Sequence, residues 1–189
     1  MGFSVLFVCT GNVCRSPAAE VLMRSGVGSH GVDVSSAGTS ALVGEGMAPP
    51  MADLVRGLGA DPEGFVARQL TPLILRSADV VVTMTRAHRT QVVMLAPAAV
   101  QKTYLLAEVG RMLQQVDPSE VMERTTQGAT AADRLSAALA LARRYRMLGT
   151  DPADDVVDPY GRSRHVYERA LDQITRGLGP LIRFGSTPS

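Results

Sequence analysis

The chain has 189 residues, 46% of them hydrophobic, which is enough to bury one core and short for two. A formal net charge of +1, 4% aromatic residues and no tryptophan argue against the basic field and stacking surface of a nucleic-acid binder. The apolar run near the start covers only residues 5–8 and no basic segment precedes it, so neither a membrane span nor an export signal is expected, and the cytoplasm is the expected location.

In chain order, residues 3–8 read as a strand that breaks at Cys9, and a helical pattern resumes after Ser16. Between them lie Thr10, Gly11, Asn12, Val13, Cys14 and Arg15, so that a cysteine and an arginine are separated by five residues. Ser16 as N-cap and Pro17 as first helical residue would start the helix there, with its free N–H groups and positive dipole end facing back toward Cys9. An anion is stabilised at such a place. Gly11 and Asn12 adopt positive φ most readily, which lets the loop curl and aim successive amides at one centre. Arg15 adds a planar fork able to hold two phosphate oxygens. The same field favours the thiolate of Cys9. Ser16 is placed to hydrogen-bond that sulfur, and Asn12 to hold the loop through its side chain. The expected phosphate-binding set is therefore Thr10, Gly11, Asn12, Val13, Cys14, Arg15 and Ser16. Two cysteines in one loop are no disulfide framework, but they permit a reversible Cys9–Cys14 link that shields an oxidised nucleophile.

The helix after the loop should run over residues 17–25, with Ala18, Val21 and Leu22 inward, Glu20 and Arg24 in solvent, and Gly26, Gly28 and Gly31 stopping it. Residues 32–36 read as a second strand, and residues 37–40 as a turn at the mouth of the phosphate loop. A Gly- and Pro-bearing loop (residues 41–50) leads to a helix over 51–58. Thr71 and Pro72 then open a helix through Arg76. The β-branched run at 79–84 is a fully buried strand, residues 86–95 a helix, and residues 101–105 a fourth strand. Strands alternating with helices, without hairpin signals, predict an α/β fold: a four-stranded parallel sheet with helices on both faces. Within residues 111–153 one added helix is expected at 131–147, ending in the solvated Arg143, Arg144 and Arg146. The whole of 1–189 is read as a single domain carrying this insertion.

Residues 151–161 form an acidic loop before a last helix over 164–184. Asp151, Asp154, Asp155 and Asp158 lack the spacing of a calcium loop and sit beside prolines, so no metal is expected there. His30, His88 and His165 are scattered, show no ligand spacing and are read as surface residues.

The stretch from Cys9 to Ser16, CTGNVCRS, resembles the signature loop of the low-molecular-weight protein tyrosine phosphatases. Residues 36–40 (SAGTS), 67–71 (ARQLT) and 105–108 (LLAE) look like recurring stretches of the same family, and Asp158-Pro159-Tyr160 resembles its acid loop. Residues 111–153 depart from it, since members usually join these last two segments by a short connector. The resemblance implies a phosphorylated protein as substrate and inorganic phosphate as product, without metal or cofactor, and no nucleic acid or membrane as partner. In this chemistry Cys9 attacks phosphorus, the loop amides and Arg15 hold the oxygens, and Asp158 protonates the leaving oxygen and then activates water. Asp158 must carry a proton to do so, which a neighbouring anion favours. Tyr160 would wall the pocket against an aromatic substrate.

Three rivals stand beside this reading. Protein arginine phosphatases have a nearly identical loop, with Thr where this chain has Val13; a bulky apolar side chain there suits a phenyl ring better than a guanidinium. Arsenate reductases share the fold, but the thioredoxin-linked type needs further cysteines, and none follows Cys14. A non-catalytic phosphate-binding module would tolerate loss of Cys9, Arg15 or Asp158, and all three are present.

Overall fold

The structure, a computed structural model, describes residues 2–28, 31–148 and 151–186. Four parallel strands, β1 (Phe3–Cys9), β2 (Val32–Gly38), β3 (Val80–Thr83) and β4 (Thr103–Leu105), lie in the order β2-β1-β3-β4. This is the expected parallel α/β sheet. The chain leaves β1 to one side for β2 and returns to its other side for β3, so the strand order reverses at β1. A crevice opens at the carboxyl ends of strands on either side of such a reversal. Register puts the end of β1 in it, with Cys9 opposite Gly38 and Val8 opposite Thr83.

The β1 sequence is apolar without alternation because both its faces are covered. Val5, Phe7 and Cys9 join the larger core, and Leu6 and Val8 the smaller one on the opposite face. On the larger side pack α1 (Arg15–Val27), α2 (Pro49–Gly57), α5 (Leu106–Gln114), α6 (Pro118–Arg124), α7 (Ala131–Ala142) and α8 (Arg164–Gly185). On the smaller side lie α3 (Pro72–Ser77), capped by Thr71 Oγ1 as expected, and α4 (Arg86–Leu95), capped by Thr85.

Several local expectations are corrected. Helix α1 begins at Arg15, with Cys14 in the cap position, so Ser16 is not the N-cap and its hydroxyl serves another purpose. Nor does Gly26 stop it: a Cβ there would lie 2.8 Å from Ile182 Cγ2, so this glycine allows α1 to approach α8 closely, and the helix ends at Gly28 with φ 63°. The insertion holds more than one helix. Helix α5 extends into it, α6 follows with Asp117 as cap and Pro118 at its start, and α7 ends at Ala142 before a 3-10 turn (Arg143–Leu148). Arg146 is not a solvated helix end. It lies over the Tyr104 ring at 4.5 Å and donates to the carbonyls of Gln101 (3.1 Å) and Thr103 (2.8 Å), which covers the open edge of β4. Arg144 pairs with Glu120 of α6 at 2.7 Å, tying the two ends of the insertion together.

Candidate active site

The loop between Cys9 and Arg15 is held from outside by the segment that follows β2. Amides of that segment donate to loop carbonyls: Thr39 to Cys9 (2.9 Å), Ser40 to Thr10 (3.0 Å), Leu42 to Gly11 (2.9 Å) and Ala48 to Val13 (2.8 Å). In a planar trans peptide the C=O of one residue and the N–H of the next point opposite ways. Turning those four carbonyls outward therefore turns the N–H groups of Thr10, Gly11, Asn12 and Cys14 inward. Gly38 makes this approach possible, since a Cβ on it would fall 2.4 Å from the Thr10 carbonyl oxygen.

The curl itself is made by Asn12, at φ 56° the one non-glycine with positive φ among the described residues. Gly11, expected to share this task, has no positive φ. Asn12 is fully buried and uses its whole side chain: Nδ2 donates to Ser16 Oγ (2.9 Å) and Ser36 Oγ (2.8 Å), while Oδ1 accepts the Arg68 amide (2.8 Å). Ser36 in turn donates to Glu20 Oε2 at 2.6 Å, and the other oxygen of Glu20 is bound by Arg24. The Glu20 carboxylate can only accept, so Ser36 donates to it and accepts from Asn12. Ser16 Oγ accepts from Asn12 and lies 3.0 Å from Cys9 Sγ, a hydrogen bond in which either atom can donate. Glu20 is thus a buried part of the loop's support, where the sequence placed it in solvent.

Above the sulfur lies Arg15, also buried, with Nη2 at 3.0 Å from Asp158 Oδ2 and Nη1 donating to the Val156 carbonyl at 3.2 Å. Asp158 arrives on a loop whose stem is tied at each residue. Arg111 binds the Asp154 carboxylate, the Arg86 amide donates to Asp155 Oδ1 (2.8 Å), Val156 N–H reaches the Met84 carbonyl (2.9 Å), and Val157 N–H reaches Gln173 Oε1 (2.9 Å). The tip is open, and the Asp158 side chain is 56% exposed. Between loop and tip is a pocket of about 190 Å³ lined by Cys9, Thr10, Gly11, Val13, Cys14, Arg15, Ser40, Leu42, Asp158 and Tyr160. Val13, Leu42 and Tyr160 make its walls apolar. Of the predicted site residues, Asn12 and Ser16 stand behind the pocket and the others line it.

The two thiols differ sharply in setting. Both are free. Burial pushes the Cys14 thiol up to about 12, partly offset by a hydrogen bond with Tyr167, so Cys14 stays protonated at neutral pH. Cys9, by contrast, faces Ser16 and lines the pocket at the end of β1.

Sequence reasoning put His88 on the surface, and the structure buries it behind the loop. Its Nε2 lies 2.8 Å from Thr10 Oγ1 and its Nδ1 2.8 Å from Thr85 Oγ1. Burial and then the nearby Arg15 push its pKa down to about 4, so the ring is neutral. The Thr-x-x-His spacing, a cap followed by the residue that faces back over it, was the available signal. His165 is exposed as expected, and His30 lies outside the described residues.

A strand-to-helix loop that offers a thiol, inward amides and a buried guanidinium, with a carboxyl group at its mouth, defines a phosphatase. The family model for low molecular weight phosphotyrosine protein phosphatases matches residues 4–118, and the chain belongs to that family. The low molecular weight protein-tyrosine-phosphatase Etp of Escherichia coli K12 is 39% identical over 105 residues, covering 56% of this chain and 70% of Etp. Among solved structures, the low molecular weight protein tyrosine phosphatase from T. tengcongensis is similar at TM-score 0.68 and 25% identity, covering 96% of this chain and 99% of that one. The YwlE arginine phosphatase from Geobacillus stearothermophilus is similar at TM-score 0.68 and 25% identity, covering 96% and 91%.

Proposed function

We propose that the protein hydrolyses phosphotyrosine in phosphorylated proteins through a cysteinyl-phosphate intermediate. The observation that carries this is that three groups line one pocket: Cys9, with Sγ 3.0 Å from Ser16 Oγ, the Arg15 guanidinium, and Asp158, with Oδ2 3.0 Å from Arg15 Nη2. The Cys9 thiolate attacks phosphorus and forms the S–P bond as the P–O bond to the phenol breaks. Asp158 gives its proton to the departing oxygen. Water then attacks the phosphocysteine, Asp158 takes the water's proton, and the S–P bond breaks to return the thiolate and release inorganic phosphate.

The three equatorial oxygens fall among the inward amides of Thr10, Gly11, Asn12 and Cys14 and the Arg15 fork, which stabilise charge without reorganising. An entering phosphate takes the Nη2 arm of Arg15 and releases Asp158 toward the leaving group. Val13, Leu42 and Tyr160 form a slot whose apolar walls suit a flat ring. Phosphoarginine would bring a charged guanidinium against the same apolar walls, at a cost in desolvation that a phenyl ring does not incur. Nothing in this cycle asks for a metal or cofactor. We read the chain as one domain bearing an inserted helical segment and acting in the cytoplasm; no helix among the described residues is long and apolar enough to cross a membrane.

Purified protein is expected to hydrolyse an aryl phosphate with no added metal and undiminished in EDTA. Cys9→Ser should abolish turnover yet still bind phosphate, and Asp158→Ala should slow substrates with poor leaving groups most. Phosphotyrosine peptides should be turned over faster than phosphoarginine peptides. EDTA-sensitive activity or an active Cys9→Ser protein refutes the mechanism, whereas a preference for phosphoarginine refutes the substrate alone.

A further inference from the structure

His88 takes no part in the cycle just described, yet it is buried to 4% exposure directly behind the loop that performs it. It occupies the first turn of α4, on the far side of Thr10 from the pocket. Both ring nitrogens are engaged at 2.8 Å, one by Thr10 Oγ1 and one by Thr85 Oγ1. A neutral imidazole has one donor and one acceptor, so the two hydroxyls must be treated differently. Thr85 Oγ1 already accepts the backbone amide of His88 at 3.2 Å in capping α4. If Nδ1–H also donated to it, both its lone pairs would be taken and its own hydrogen would be left over. The arrangement that uses every group has Thr85 donating to Nδ1 and Nε2–H donating to Thr10. Thr10, accepting from the ring, then has its hydroxyl hydrogen free on the pocket side.

We propose that His88 is a positioning residue for phosphate: through Nε2 it clamps the side chain of Thr10, the residue after the nucleophile, and orients the Thr10 hydroxyl as a further donor to a phosphate oxygen. The clamp also ties the loop to α4, just as the segment 39–48 ties it from the other side through the Thr10 carbonyl at 3.0 Å from Ser40 N. The ring supplies this orientation without adding a second cation beside Arg15. Leu or Val at position 10 would leave Nε2–H buried with no acceptor, so the two residues form a unit. The inference rests on the phosphatase reading above, since it assigns the pocket to phosphate.

A cycle of Thr10→Val, His88→Ala and the double variant tests the unit, with phosphate binding measured by calorimetry and aryl phosphate turnover measured alongside. Each single change is expected to weaken phosphate binding and lower kcat/KM about tenfold, the loss of one hydrogen bond to a charged group. The double variant should be no worse than either single one. Thr10→Ser should keep wild-type phosphate affinity, and His88→Gln, which can offer an N–H to Thr10, should recover part of what His88→Ala loses. Losses that multiply in the double variant, or phosphate affinity unchanged in Thr10→Val, overturn the proposal. Should His88→Ala not fold, the comparison of Thr10→Val with Thr10→Ser decides alone, because neither alters the core. Failure of the phosphatase reading would look different: no Cys9-dependent turnover in the wild-type protein, whatever phosphate affinity it shows.

Discussion

Asn12 is strained in its backbone and satisfied in its side chain, and the two can be separated by substitution. Asn12→Ala removes three hydrogen bonds and leaves a Cβ residue at φ 56°, and should destabilise the fold by about 2–4 kcal/mol. Asn12→Gly removes the same bonds but relieves the strain, so it should recover a large part of that stability in denaturant unfolding. Activity should not follow, because Ser16, 3.0 Å from Cys9 Sγ, then loses the Asn12 amide that holds it in place; both variants are expected to lose about 100-fold in kcat for an aryl phosphate. Recovery of activity in the glycine variant would show that loop shape matters and the hold on Ser16 does not. That Cys9, Arg15 and Asp158 share one pocket was legible in the sequence, because the strand–loop–helix corner and the acidic Asp-Pro loop each carry recognisable residues. Glu20 and His88 were not, since their burial is decided by partners distant in the chain, Ser36 and Thr10. Ser16 misled because a good capping residue one position inside the helix looks the same in sequence as one at its edge.

Where α5 crosses α8 the backbones come close, a Cβ on Gly110 falling 3.0 Å from the Gly177 carbonyl oxygen, and α8 carries Gln173, which holds the Val157 amide in the stem of the acid loop. A Cβ on Gly177 would lie 2.6 Å from Leu106 Cγ, while one on Gly179 meets nothing within 4 Å. The two glycines share a helix, so helix propensity favours alanine at both by up to about 1 kcal/mol. Gly179→Ala should therefore raise the unfolding midpoint, and Gly177→Ala lower it by about 1–3 kcal/mol through overpacking. Equal effects at the two sites would mean that the crossing yields more easily than its contacts indicate. The strands and α3, α4 and α8 could be read from apolar runs, caps and 3.6-residue spacing. Helix α6 could not, being seven residues long with a single buried side chain, Val121, although Asp117 and Pro118 announced its start. The continuation of α1 through Gly26 was hidden for the opposite reason, as its cause lies in Ile182 and not in its own sequence.

For the molecule as a whole, His88, Asp154 and Cys14 each tie stability to pH. Folding holds His88 at about 4 against an ordinary histidine value of about 6.5, through burial first and then Arg15, with Asp158 and Asp155 opposing. The unfolded chain binds more protons between those values, so stability falls on acidification, by on the order of 3 kcal/mol from this residue. Asp154, held down by its hydrogen bonds with Arg111, acts in the same direction at lower pH. Above about pH 9 the sign reverses, because Cys14 ionises in the unfolded chain while the folded one keeps its proton up to about 12. Denaturant unfolding at pH 7, 5 and 4 should show this decline, and His88→Gln should flatten it above pH 4. A slope unaltered by that change would assign the acid sensitivity to carboxylates. The parallel sheet with helices on both faces followed from the alternation of strands and helices, whereas the order β2-β1-β3-β4 and the division into two cores did not. What the insertion does was not legible, because Arg146 covers β4 by contacts that no local pattern encodes. The Arg15–Val156 hydrogen bond spans 141 residues. During synthesis, the anion cradle can therefore take shape long before its acid emerges from the ribosome. A nascent chain that has passed the loop but not residue 158 would present the Arg15 guanidinium without its carboxylate partner, open to any anion of the right size.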